Sequence, residues 1–201
     1  MMSPYRGRFA PSPTGPLHFG SLIAALVSYL EARQAHGHWF VRIEDVDPLR
    51  EPPGAADEIL RTLEAHALCW DGKVRYQSAQ HTLYRARLDE LRDRGRLYPC
   101  ACSRKALAAL SGRHPAQCRT HPDWTTREPV ALRFAVNDVD ITWNDLCLGP
   151  QTHRLRAELD DVVLLRKEGF FAYQLAVVCD DIDQQMTHIV RGNDHVTNTA
   201  T

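Results

Sequence analysis

The run from Arg8 to Ser21, Arg-Phe-Ala-Pro-Ser-Pro-Thr-Gly-Pro-Leu-His-Phe-Gly-Ser, sets a histidine and a glycine at the start of a helical apolar repeat. Such a junction makes an anion site, because the first N–H groups of a helix lack intrahelical partners and the helix dipole adds positive charge there. His18 can donate to a phosphate, and Gly20 lets a ligand approach the backbone closely. Neither G-x-G-x-x-G nor G-x-x-x-x-G-K-[ST] is present, so the generic nucleotide loops do not explain the run. A second set of groups falls at predicted strand ends, where open α/β sheets bind ligands: Glu44, flanked by Asp45 and Asp47, and Arg191. A third is Cys100-Ala-Cys102 with Cys118. Zinc takes four ligands from Cys and His, and the fourth is either His114, four residues before Cys118, or His121, three after it. Three reduced thiols remain the other reading, since C-x-C is less diagnostic than C-x-x-C. Asp180, Asp181 and Asp183 read as an acidic patch at a helix end rather than a metal site.

Regular elements must hold these groups. Arg8, Phe9 and Ala10 begin a short strand that enters a loop stiffened by Pro11, Pro13 and Pro16. A helix starts near Gly20 and Ser21, with Leu22, Ile23, Leu26, Tyr29 and Leu30 at helical spacing, and Gly37 stops it. In Trp39–Glu44 the residues alternate, Trp39, Val41 and Ile43 on one face and Phe40, Arg42 and Glu44 on the other, which predicts a strand. A second helix carries Ile59, Leu60, Leu63 and Leu68, and a third carries Leu83, Tyr84, Leu88 and Leu91 and ends at Gly95. Strand, helix, strand, helix opens a parallel α/β sheet. From Tyr98 to about Arg156 the pattern is irregular and cysteine-bearing, with short strands at Ala131–Val136 and Asp140–Asn144, and reads as an insertion. A strand at Asp161–Arg166, a helix at Tyr173–Asp180 and a strand at Met186–Arg191 follow. This divides the chain into residues 1–97, an insertion over 98–156, and a return to the first sheet over 157–201.

The 201 residues are 44% hydrophobic and 24% charged, ordinary globular values that allow one good core. A net charge of −1 excludes wholesale electrostatic binding of nucleic acid and leaves room only for a local basic patch. No apolar run reaches membrane-spanning length and the N-terminus lacks a signal-peptide core, so the expected setting is the cytoplasm, with no membrane partner. Cysteines there are thiols or metal ligands, and Cys69, Cys147 and Cys179, isolated among apolar neighbours, read as core residues.

The opening run resembles the signature of class I glutamyl-tRNA synthetases, with His18-Phe-Gly-Ser21 in the position of the family's HIGH motif. Arg42-Ile-Glu-Asp-Val-Asp47 resembles its RIED segment, Tyr173-Gln-Leu-Ala-Val-Val-Cys-Asp-Asp181 its Y-x-L-A-x-V-x-D-D helix, and Val190-Arg-Gly192, with Asp194, its V-R-G-x-D strand end. The fold so implied is α/β, a Rossmann-type parallel sheet with a zinc-bearing α+β insertion. The resemblance implies that Pro11, Thr14, His18, Gly20 and Ser21 bind ATP, with His18 and Gly20 in catalytic positions. It further implies that Arg8, Ala10, Ser12, Glu44, Tyr173 and Arg191 bind L-glutamate. A glutamate ligand offers one ammonium and two carboxylates, and bidentate arginine pairing orients the latter; Glu44 would take the ammonium.

The cysteine cluster is similar to that of the short paralogues that glutamylate queuosine in tRNA(Asp), whose pattern is C-x-C, Tyr, x-x-x-C. His114 stands where that tyrosine is expected, giving Cys100, Cys102, His114 and Cys118 around a structural Zn²⁺. Leu17-His-Phe-Gly-Ser-Leu22, and Cys69-Trp-Asp-Gly72 with Tyr76-Gln-Ser78, also resemble this subfamily. The reaction implied uses ATP with Mg²⁺ to form glutamyl-adenylate, then transfers the glutamyl group to queuosine in the anticodon loop of tRNA(Asp), by a monomer. Family members carry a later lysine loop related to KMSKS. Arg104-Lys105 and Arg166-Lys167 lie in the wrong elements for it, which leads one to expect a C-terminally truncated chain. Two other readings are a fragment of an ordinary glutamyl-tRNA synthetase and a non-catalytic, zinc-braced module that binds glutamate or tRNA.

Overall fold

In a computed structural model, which describes residues 4–108, 115–155 and 161–192, the first strand, β1 (Arg6–Phe9), is followed by α1 (Phe19–Gln34) and then β2 (His38–Ile43). Next come α2 (Ala55–Ala65), β3 (Arg75–Tyr76) and α3 (His81–Asp93). The described residues divide into two compact units, one of 4–84 and 175–192, the other within 85–174.

In the first unit β1, β2 and β3 form a parallel sheet in that order, with Arg8 beside Phe40 and Ile43 beside Tyr76. The alternation along β2 sorts its two faces. Trp39, Val41 and Ile43 are fully buried in an apolar core with Phe9, Ala25, Ile59, Leu63 and Leu68. Arg42 and Glu44, on the other face, are equally buried but meet charge. The helix α1 packs the opposite way from its large apolar residues: Ala25, Ser28 and Ala32 are buried, while Ile23, Leu26 and Leu30 are exposed. Close approach to the sheet selects small side chains here. Ser28 is one such contact, its Oγ accepting a 2.8 Å hydrogen bond from Trp39 Nε1. The helix ends through His36 at φ 49°, with the Gly37 N–H donating to Ala32 O at 2.8 Å. Gly37 is demanded by crowding rather than by helix termination: a Cβ there would lie 2.4 Å from the Tyr5 carbonyl oxygen.

The second unit contains β4 (Leu97–Cys100), the short helices α4 (Arg104–Ala108) and α5 (Ala116–Thr120), β5 (Ala131–Phe134), the hairpin β6 (Asp140–Asp145) and β7 (Gly149–Arg154), and β8 (Val162–Leu165). β4, β5 and β8 form an antiparallel sheet. The strand expected at Asp161–Arg166 is therefore present as β8, but it pairs with β5 in this sheet. Asp161 ties the unit together: it accepts from Tyr98 Oη at 2.6 Å and Val136 N at 2.8 Å, and its carbonyl accepts from Arg133. Cys69 and Cys147 are exposed, against expectation. One lies in the loop after α2 and the other at the tip of the β6–β7 hairpin, where neighbouring apolar residues do not create a core. Cys179 is buried as expected.

The helix α6 (Tyr173–Asp183) then brings the chain back to the first unit. No strand forms over Met186–Arg191. Thr187 makes one rung with Arg6, its N–H donating to the Arg6 carbonyl at 3.0 Å. Its hydroxyl takes the Arg6 N–H at 2.8 Å, a local side-chain bond that substitutes for a ladder. Among the described residues no helix is long and apolar enough to cross a membrane. Replacing Gly37 by Ala is expected to cost about 1–3 kcal/mol, as overpacking does. Urea denaturation should show the midpoint falling at an unchanged slope.

Candidate active site

The polar face of β2 is where the predicted ligand groups collect. Arg8, near the end of β1, and Arg42, on β2, are side by side in a buried layer and share Asp181 of α6. Arg8 donates from Nε and Nη2 to the two Asp181 oxygens, each at 3.2 Å. Arg42 donates from Nη1 to Asp181 Oδ1 at 2.6 Å and to Gln184 Oε1 at 3.1 Å, and from Nη2 to Glu44 Oε1 at 3.1 Å. Charges thus alternate along Arg8, Asp181, Arg42 and Glu44. Asp180 serves a second group: it accepts from Tyr84 Oη at 2.7 Å and Gln77 Nε2 at 2.8 Å, and lies 2.9 Å from Arg75 Nε. Asp183 pairs with Arg75 at 2.7 Å. Asp180 and Asp181 are therefore counter-ions to the buried Arg42 and Arg8, while Asp183, exposed at the helix end, pairs with the half-buried Arg75.

The electrostatics separate the acids. Burial pushes Glu44 up to about 6, although Arg42 and Arg8 pull it down and Asp181 adds to the rise. Burial also raises Asp181, but Arg8 and Arg42 outweigh it and hold that carboxyl below its usual value. Burial lowers Arg42, and Glu44, Asp181 and Asp180 more than offset this, so its guanidinium is held charged. Burial and the bond to Asp180 push the Tyr84 phenol well above its ordinary range.

The signature loop runs beside this layer. Pro11 O accepts the Glu44 N–H at 2.9 Å, so the backbone of the Ala10–Ser12 stretch is tied to the end of β2. His18 caps α1: its Nδ1 accepts from the Ser21 N–H at 3.2 Å, and its Nε2 lies 3.0 Å from Ser21 Oγ. Gly20 leaves room for that imidazole, since a Cβ would sit 3.1 Å from His18 Cε1. The first turn of α1 holds no acid, so nothing there opposes an anion. His18, Gly20, Ser12 and Thr14 are exposed, Ser21 is half-buried, and Pro11 is buried beneath them. Arg191 has its Nε buried without a hydrogen-bond partner among the described residues. Tyr173 is the first residue of α6, half-buried, and is grouped with the second unit. Asp194 lies outside the described residues. Sequence reasoning missed Asp181, Gln184 and Gln77 as members of the polar layer. Their signal was the burial demanded by Arg42, which alternation on β2 already implied.

The second unit brings the three predicted thiols together. Cys100 ends β4, Cys102 follows it and Cys118 lies on α5, with sulfur atoms all within 4.8 Å of one another and Cys102 Sγ 3.6 Å from Cys118 Sγ. A tetrahedral zinc with bonds of about 2.3 Å separates its sulfurs by roughly 3.8 Å, so the spacing fits the metal. The Cys102 N–H donates to Cys100 Sγ at 3.4 Å, the kind of bond that stabilises a thiolate ligand. Burial raises both Cys100 and Cys102 thiols, so metal binding would release protons. His121 is exposed, 2.9 Å from Thr120 Oγ1, and is not part of the group; His114 lies outside the described residues.

Residues 5–201 match the family model described as tRNA synthetases class I (E and Q), catalytic domain, and the chain belongs to that family. It is 51% identical over 193 residues to a glutamyl-Q tRNA(Asp) synthetase of Idiomarina loihiensis, covering 96% of this chain and 68% of the relative. To those of Chromobacterium violaceum and Vibrio cholerae it is 52% and 49% identical, covering 67% and 64% of their lengths. The chain thus spans about two thirds of these relatives. Among solved structures it is similar to a glutamate tRNA ligase from Elizabethkingia meningosepticum crystallised with its amino acid, with a TM-score of 0.86 and 26% identity. That match covers 98% of this chain and 45% of the ligase.

Glu44 supplies a test of the layer that needs no ligand. With its folded-state value above the ordinary one, the folded protein binds the proton more tightly than the unfolded chain does, and the contribution of Glu44 worsens as pH rises from about 4.5 to 6. Glu44→Gln should therefore be more stable than the parent at pH 7, by about 2 kcal/mol. Urea unfolding should show this gap closing towards pH 4.5.

Proposed function

We propose that this member of the class I synthetase family activates L-glutamate with ATP and passes the glutamyl group to queuosine in tRNA(Asp). The observation that carries the reading is the burial of both a guanidinium, Arg8, and a carboxylate, Glu44, at the ends of neighbouring parallel strands, alongside a loop that leads to an acid-free helix N-terminus. Arg8, with Arg191, supplies guanidinium for glutamate carboxylates. Glu44 supplies the anion for the ammonium, and Ala10 and Ser12 complete the pocket; the resemblance assigns Tyr173 to glutamate as well. Pro11, Thr14, Gly20 and Ser21 contact ATP.

The first step asks for alignment and charge neutralisation rather than covalent chemistry by the protein. A glutamate carboxylate oxygen attacks the α-phosphorus of ATP, the bond to the bridging oxygen breaks, and pyrophosphate leaves. His18, already seated over Gly20 at the mouth of α1, donates to the phosphates as charge develops, and the unpaired N–H groups of the first turn do the same. Mg²⁺ bound with ATP would supply further neutralisation of charge on the leaving pyrophosphate. Glu44, anionic above pH 6, fixes the ammonium so that the α-carboxylate faces the nucleotide.

Cys100, Cys102 and Cys118 would hold zinc, with His114 as the fourth ligand that the resemblance implies, and the metal would cross-link the insertion over 98–156. The names of the relatives favour queuosine in tRNA(Asp) as acceptor, and the thiol cluster supports that choice over an ordinary glutamyl-tRNA synthetase. The remaining readings are outcomes of the tests.

Glutamate-dependent exchange of pyrophosphate into ATP should be measurable, and His18→Ala should lower it by about 10²-fold, as loss of a transition-state donor does. Glutamylation of tRNA(Glu) but not of queuosine-bearing tRNA(Asp) would overturn the acceptor. A flat exchange assay with metal-loaded protein would leave a binding module. Elemental analysis should find about one zinc per chain, falling in His114→Ala, and less than about half an equivalent would sink the site.

A further inference from the structure

We infer that Asp181 is a positioning residue for the amino-acid pocket: it clamps one edge of Arg8 and holds Arg42 back from full engagement with Glu44. The inference rests on the proposed glutamate site. Arg8 is 4% exposed and spends Nε and Nη2 on the two Asp181 oxygens, a side-on bidentate grip that turns its Nη1 end towards a ligand. Arg42 is fully buried, and one guanidinium serves two acids, Asp181 at 2.6 Å and Glu44 at 3.1 Å. The shorter bond goes to the aspartate. Glu44 consequently keeps unspent acceptor capacity for an ammonium.

The groups facing Glu44 are Arg8 from β1, Arg42 from its own strand and Asp181 from α6. If Asp181 loses its charge, Arg8 loses its ion-pair partner and Arg42 keeps only Glu44 and the more distant Asp180, 3.9 Å from its Nε. Glu44 then ionises at lower pH and closes onto Arg42, while Arg8 loses the grip that fixes its orientation. Ligand binding weakens for two separate reasons, and its pH dependence moves.

The adjacent Asp180 provides the contrast. It is more buried, and its close partners are Tyr84, Gln77 and Arg75, with Arg42 farther off at 3.9 Å. Its role is to fasten α6, and none of its hydrogen bonds goes to Arg8 or Glu44 among the described residues.

The test is calorimetric titration of glutamate into parent, Asp181→Asn, Asp181→Glu and Asp180→Asn chains between pH 5 and 8, with folding checked by circular dichroism. Asp181→Asn is expected to weaken glutamate at least tenfold and to move the midpoint of its pH dependence to lower pH. Asp181→Glu, which restores the charge, should recover part of the affinity and return the midpoint towards that of the parent. Asp180→Asn should lower the melting temperature and weaken glutamate less than Asp181→Asn does. A folded Asp181→Asn chain that binds glutamate within twofold of the parent, at the same midpoint, overturns the inference. So does failure of both Asp181 variants to fold, which would make the residue structural. A parent chain that does not bind glutamate overturns the proposed function itself.

Discussion

Arg42 has no exposed surface, and a guanidinium cannot be neutralised by losing a proton. That constraint shapes the first unit. Isolated burial of such a charge costs several kcal/mol, so acids must be brought to it with good geometry. Glu44, two residues on, is one. The others, Asp180 and Asp181, come from α6, 139 residues away in the case of Asp181. The return of the chain to the parallel sheet is therefore driven by charge as well as by apolar packing. Leu175, Ala176, Val177 and Cys179 bury the apolar side of the same helix.

The second unit solves a smaller version of the same problem. Asp161 is 2% exposed and is satisfied by a tyrosine hydroxyl and a backbone N–H, with Arg119 3.7 Å away. Fixed groups of this kind hold β4, β5 and β8 in register. Cys102 and Cys118 pack against a buried cluster of Tyr98, Cys100 and Ala135, so a metal bound there would fasten α5 to the end of β4.

How legible this was in the sequence depended on the period. On β2 the alternation is strict, and both faces were readable, although of the charged face only Glu44 was read as a ligand group, and Arg42 was not. The acids of α6 were visible as a run, but which side of a helix is buried depends on tertiary partners that a local pattern does not contain. In α1 the usual rule inverted, because Ala25, Ser28 and Ala32 allow a close approach that large residues prevent. The segment after α6 has strand-like residues, yet a strand needs a partner along its length, and the bonds of Thr187 to the other chain segment all go to Arg6. The thiol cluster was legible because ligand spacing is a local property. The fourth ligand was not, since two histidines were equally near in sequence and only His121 lies among the described residues.

Glu44 and Asp181 share one guanidinium yet end on opposite sides of the ordinary carboxylate value. Asp181 has two arginines and a solvent-touching edge, and its ionised form stabilises the fold at all pH values above the usual carboxylate range. Glu44 has a larger desolvation cost and a weaker share of Arg42, so its ionised form works against stability at neutral pH. A purely structural partner for Arg42 at this position would be better served by a neutral amide, which accepts the same hydrogen bond without the burial penalty. Carboxylates whose environments push their values apart mark acids with different tasks. One of these tasks is to hold the arginines in place. The other is unfinished within the folded chain, and under the proposed function the ammonium of an amino acid completes it.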